Sequence, residues 1–140
     1  MKMLTDKYLI KILKRLILSY VALSIVSLFK VIFFTYYFAP KELTDYILMY
    51  EETVEYSALF FLIAFVIFAV YIVSLIMVWK LKAIGRNLFL LTIILSMLIS
   101  FGYKYTFIDS IEEILYSVSL IIEGAILALI YLSPISKKFK

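Results

Sequence analysis

Apolar residues gather into four long runs, at 16–38, 57–78, 88–108 and 114–132, and the stretches between them hold most of the charge. Each run is ~19–23 residues, or ~28–35 Å as a helix at 1.5 Å per residue, close to the ~30 Å of a bilayer hydrocarbon core. Barrel strands would instead read as ~10-residue segments alternating apolar and polar positions. The stretch 59–73 is apolar on every face. The pattern therefore predicts an all-α integral membrane domain spanning residues 1–140, a four-transmembrane-helix bundle.

Two flanking segments carry a helical period of their own. In 41–56, Leu43, Ile47, Tyr50 and Val54 recur at i, i+4, i+7 and i+11, and the opposite face is acidic. That spacing predicts an amphipathic extracytoplasmic helix between helices 1 and 2, lying on the membrane surface, with a bend near 51–53 before the second span. Ahead of the first run, Leu9, Ile12, Leu13 and Leu16 form a stripe with Lys7, Lys11, Lys14 and Arg15 largely off it. This reads as a basic interfacial lead-in rather than a nucleic-acid patch. A cleavable signal would have an apolar region of only ~7–15 residues; the first run is longer and is read as retained. Gly85-Arg86-Asn87 reads as the tight turn between helices 2 and 3, and Trp79, Tyr103, Tyr116 and Tyr131 as interfacial aromatics.

Charge orients the bundle. Lys2, Lys7, Lys11, Lys14 and Arg15 precede the first run, Lys80, Lys82 and Arg86 lie between the second and third, and Lys137, Lys138 and Lys140 follow the fourth. Eleven of the 14 basic residues thus share one side, and eight of the 10 acidic residues the other. The positive-inside bias places both termini in the cytoplasm.

Composition sharpens the class. Of 140 residues, 66% are hydrophobic and 17% charged, against about 45–50% and about 25% in ordinary globular chains. The chain has no cysteine and no histidine, which excludes disulfides, thiol and imidazole catalysis and the usual zinc, copper and haem ligands. No cofactor, metal site or catalytic residue is expected.

Charges inside the membrane are the candidate sites, because an ionisable group there costs ~2.5–3.5 kcal/mol on insertion scales. Lys30 falls within the first run and Glu123 near the middle of the fourth. Counted from opposite faces they lie ~9 Å and ~13 Å below the outer surface, within reach of one lysine side chain. Lys104 completes an intramembrane charge network. Thr92, Ser96, Ser100 and Lys104 follow i+4 spacing, and Ser27 and Ser119 stand near Lys30 and Glu123, giving polar helix stripes that can bond across interfaces. Gly124, Ala125 and Ala128 offer a close-packing surface on helix 4. Glu51, Glu52, Glu55, Asp109, Glu112 and Glu113 form an acidic outer surface, suited to a cationic partner but lacking the spacing of a calcium loop.

The run Gly124-Ala125-Ile126-Leu127-Ala128-Leu129-Ile130-Tyr131-Leu132-Ser133-Pro134-Ile135, followed by Phe139, resembles the end of a group of small bacterial four-helix inner-membrane proteins of uncharacterised function. That resemblance implies a bacterial inner membrane and four spans. In size and in its richness in aromatics and lysine the chain also resembles immunity proteins against pore-forming bacteriocins. A small multidrug transporter would carry its essential carboxylate in the first helix, where this chain has Lys30. The functional expectation is a non-enzymatic multi-pass protein that acts by protein–protein interaction in the membrane, as an immunity-type or accessory subunit. Its expected partners are the lipid bilayer, another membrane or secreted protein, and further copies of itself. The alternatives are an oligomeric channel or small-solute transporter using Lys30, Glu123 and Lys104, and, more remotely, an enzyme acting on lipid.

Overall fold

The computed structural model describes residues 2–30, Lys41, Asp45, Met49, 58–100 and 110–140. Four helices have both ends among the described residues: α1 (Lys2–Lys30), α2 (Ala58–Trp79), α3 (Ala83–Ser100) and α4 (Ser110–Leu132), followed by a 3-10 turn at Pro134–Lys138. Three carry segments long and apolar enough to cross a membrane, Thr5–Lys30, Leu62–Trp79 and Glu113–Leu132, while α3 offers the shorter Ala83–Leu98. The rest of the third apolar run, 101–108, lies outside the described residues, as does most of 41–56; Lys41, Asp45 and Met49 within it are helical and exposed.

The basic lead-in is not a separate element. It is the first part of α1, because its apolar residues continue the helical period of the span: Ile10, Leu13 and Ile17 turn inward together, with Leu13 and Ile17 buried. α2 is apolar all round, as a lipid-facing helix is. It packs along α3, and α1 packs along α4. Among the described residues the buried hydrophobic ones are Leu13 and Ile17 from α1, Leu75 and Val78 from α2, Phe89 from α3, Ile126 and Ile130 from α4, and Ile135 and Phe139 from the last segment. The core therefore sits at the end of the molecule where the three basic segments meet.

The connection between α2 and α3 corrects the sequence expectation. Gly85, Arg86 and Asn87 lie inside α3, and the chain turns at Lys80–Lys82. Leu81 N–H donates to Val78 O at 2.9 Å and Lys82 N–H to Met77 O at 2.9 Å, the paired bonds of a helix C-cap whose left-handed residue is Leu81 (φ 56°). Glycine usually takes that position; here leucine does, at a cost of ~1–2 kcal/mol. Gly85 serves another purpose. A Cβ there would stand 2.7 Å from Met77 C and 2.8 Å from Val78 N, and nearer still to the Met77 Cβ, so its missing side chain is what lets α3 lie against α2.

The last residues close this end. Ser133 caps the 3-10 turn by accepting from Ile135 N–H at 3.3 Å, and its hydroxyl donates to Leu129 O. Lys140 N–H then donates to Leu81 O at 3.1 Å, and Ala83 N–H donates to Lys140 O at 3.0 Å. The segment is thereby hydrogen-bonded to the α2–α3 turn, with Ile135 and Phe139 buried beneath the helices.

Candidate functional site

The polar feature within the apolar layer is centred on Glu123 of α4. Tyr71 Oη of α2 donates to Glu123 Oε1 at 2.8 Å. The ring of Tyr20 from α1 stands 5.9 Å from that of Tyr71, tilted by 57°, and the ring of Phe89 from α3 stacks on its other side at 5.6 Å and 29°. All four helices thus contribute one side chain. Ser74, fully buried, donates to Tyr71 O at 2.6 Å and so satisfies its own hydroxyl within α2.

The depth of this cluster follows from counting along the helices. Tyr71 precedes Trp79 by eight residues and Glu123 precedes Tyr131 by eight, in each case ~12 Å. Lys14 Nζ lies 5.0 Å from the centre of the Trp79 ring, a cation–aromatic pair of the kind found where a membrane helix meets the headgroups. Glu123 is half-buried among apolar residues, at a depth of about two fifths of a ~30 Å layer. A carboxylate there needs donors, and the phenol of Tyr71 supplies one without introducing a second charge.

The carboxylate that sequence reasoning matched with Lys30 is thus hydrogen-bonded by Tyr71. Lys30 lies ten residues beyond Tyr20 on α1, ~15 Å along the helix; it is half-buried and engaged in an interaction of its own. Lys104 lies outside the described residues. Along α3, Thr92 is fully buried, but its Oγ1 lies 3.0 Å from both Leu88 O and Phe89 O and donates to the preceding turn of its own helix. Ser96 is exposed and has a partner, Ser27 and Ser119 are half-buried, and the side chain of Ser100 lies outside the described residues. Of the acidic outer surface, Glu113 is exposed; Glu51, Glu52, Glu55, Asp109 and the side chain of Glu112 are outside the described residues.

A second polar cluster occupies the basic end. Arg86 lies over the rings of Tyr131 and Phe139, 4.9 and 5.9 Å from their centres, and its Nη1 donates to Ser136 O at 3.4 Å. Tyr131 Oη donates to Arg86 O at 3.2 Å. Asp6 pairs with Lys138 at 3.3 Å. These contacts bring the three basic segments, far apart in sequence, to one end of the molecule. Among the described residues no three acidic side chains come together as a metal site.

Sequence reasoning passed over Tyr20 and Tyr71 and did not foresee how the closing segment packs. A signal for Tyr71 exists: it is the one hydroxyl-bearing residue in the apolar stretch 59–73, and a phenol at membrane depth needs an acceptor. Compared with known families and proteins, the chain matches no family model, and no curated protein or solved structure resembles it significantly.

Proposed function

We propose that this chain is a non-enzymatic, multi-pass protein of the bacterial inner membrane, with both termini cytoplasmic, that acts by binding another protein in the plane of the membrane as an immunity-type or accessory subunit. The observation that carries this reading is the bond from Tyr71 to Glu123. A conducting or exchanging carboxylate has to meet its ion; this one is tied to a neighbouring helix through Tyr71, whose own ring is flanked by those of Tyr20 and Phe89. The outward surfaces of the helices are at the same time broadly apolar, from Leu62, Phe65 and Phe68 on α2 to Ile114 and Ile121 on α4, which suits lateral contact with lipid or another membrane helix.

The rival class is transport, and a flux assay separates the two. The purified chain in sealed vesicles is expected to pass protons and monovalent ions no faster than empty vesicles do, with Glu123→Gln making no difference. Robust flux that Glu123→Gln abolishes overturns the interaction reading. Its positive test is co-purification of one specific membrane or secreted protein, lost on charge reversal at Glu51 and Glu52.

A further inference from the structure

The packing of α1 buries a short stripe near its start and leaves most of its remaining surface open, including one continuous line of residues along the helix. Ile10, Leu13 and Ile17 point inward, while Lys7, Lys11, Arg15, Leu18, Ala22 and Ile25 are all exposed. At 100° per residue these six fall within an arc of about 80°, centred about 125° around the helix from the inward residues. The face changes character once along its length. Lys7, Lys11 and Arg15 occupy successive turns, and Leu18, Ala22 and Ile25 continue the line, with Leu18 59% and Ile25 49% exposed. The change falls at the level where Lys14 covers Trp79. Asp6, the one acidic residue among the three basic segments, is held by Lys138 off this face and does not offset its charge.

We propose that this face of α1 is a binding track for an anionic phospholipid, with Lys11 and Arg15 holding the phosphate and the acyl chains lying along Leu18, Ala22 and Ile25. The cationic half attracts the headgroup and the apolar half receives the chains, so a single amphiphile matches both, with its phosphate at the junction. An acidic protein segment would match only the lower half. Inorganic phosphate would match only two side chains.

Trp79 is the one tryptophan in the chain, and through Lys14 it touches α1 at the junction. The full chain is reconstituted in phosphatidylcholine vesicles, and quenching of Trp79 by brominated phosphatidylglycerol is compared with quenching by brominated phosphatidylcholine. The phospholipid retained in mild detergent is quantified from vesicles containing both. The anionic lipid is expected to be preferred about fivefold for each engaged cation. The preference should fall with added salt and drop to near parity in Lys11→Gln/Arg15→Gln, both exposed positions where circular dichroism checks that the helices persist. Lys137→Gln/Lys140→Gln should keep it. Parity in the wild type overturns the proposal. So does an undiminished preference in Lys11→Gln/Arg15→Gln, an equal loss in Lys137→Gln/Lys140→Gln (diffuse charge), or displacement of the lipid by millimolar inorganic phosphate (an ion site without a track).

Discussion

At the basic end, α1, α2, α3, α4 and the 3-10 turn bury Leu13, Val78, Ile130 and Ile135 completely, and backbone hydrogen bonds from Lys140 and Ala83 fasten the last residues to the α2–α3 turn. About 12 Å further along α2 and α4 the same helices meet again, at a hydrogen bond and three rings, while their outer surfaces stay apolar and exposed. The difference follows from the solvent. Where water reaches, removing apolar area from it drives association at ~25 cal/mol per Å². Within lipid the surroundings are as apolar as leucine, and helices are held by close packing and by polar contacts worth ~0.6 kcal/mol on average and ~1.7 at most. One end is accordingly built like the core of a soluble protein, and among the described residues the layer beyond it is joined through a carboxylate, its phenol and the rings beside it.

The largest effect should come from the residue that belongs to both regions. Phe89 is fully buried at the basic end and also stacks on Tyr71; Phe89→Ala is expected to cost ~3–5 kcal/mol, read as a lower SDS fraction for unfolding in mixed micelles. Gly85→Ala comes next, at ~1–3 kcal/mol or somewhat more, because the new methyl meets the backbone of Met77 and Val78 and not a flexible side-chain tip. If Gly85→Ala unfolds at the wild-type SDS fraction, the close approach of α3 to α2 is not what that glycine provides.

The polar contact predicts a smaller effect with a distinctive coupling. Glu123→Leu alone strands the Tyr71 hydroxyl and Tyr71→Phe alone strands the carboxylate, so each should destabilise by ~1–2 kcal/mol. The double variant should lose less than the sum of the two, since removing both partners leaves no buried group without one. Strict additivity in a double-mutant cycle would mean that the two side chains do not depend on each other and that the layer is held by packing alone.

Much of this architecture was legible in the chain. The apolar runs gave an all-helical chain with three helices long and apolar enough to cross a membrane, and the eleven basic residues gave the end at which three distant segments gather. Which residues share a level was not legible. Counting up from Leu16 and down from Ile114 puts Lys30 and Glu123 at depths ~4 Å apart, but depth alone does not say which side chains meet. The described contact of Glu123 is with Tyr71, which has Tyr20 beside it. The turn was misplaced for a local reason. Gly-Arg-Asn has the composition of a turn, yet the glycine there relieves contact with Met77 and the left-handed position falls to Leu81, a role that nothing in leucine's chemistry announces.

The smallest expected effect tests the comparison from its other side. Phe65 on α2 is 69% exposed, among the most open aromatic positions on the helices. In water, removing such a ring would change the exposed apolar surface; in lipid, Phe65→Leu exchanges one apolar contact for another and should shift stability by less than ~0.5 kcal/mol. The same exchange at Phe89 removes a ring that stacks on Tyr71 and leaves a void around leucine, so it should cost at least ~1 kcal/mol. Unfolding of the two variants side by side, in the same mixed micelles, therefore reads the environment of each ring directly. A loss at Phe65 equal to that at Phe89 would mean that the outer face of α2 is covered by protein, from this chain or from another, and not by lipid.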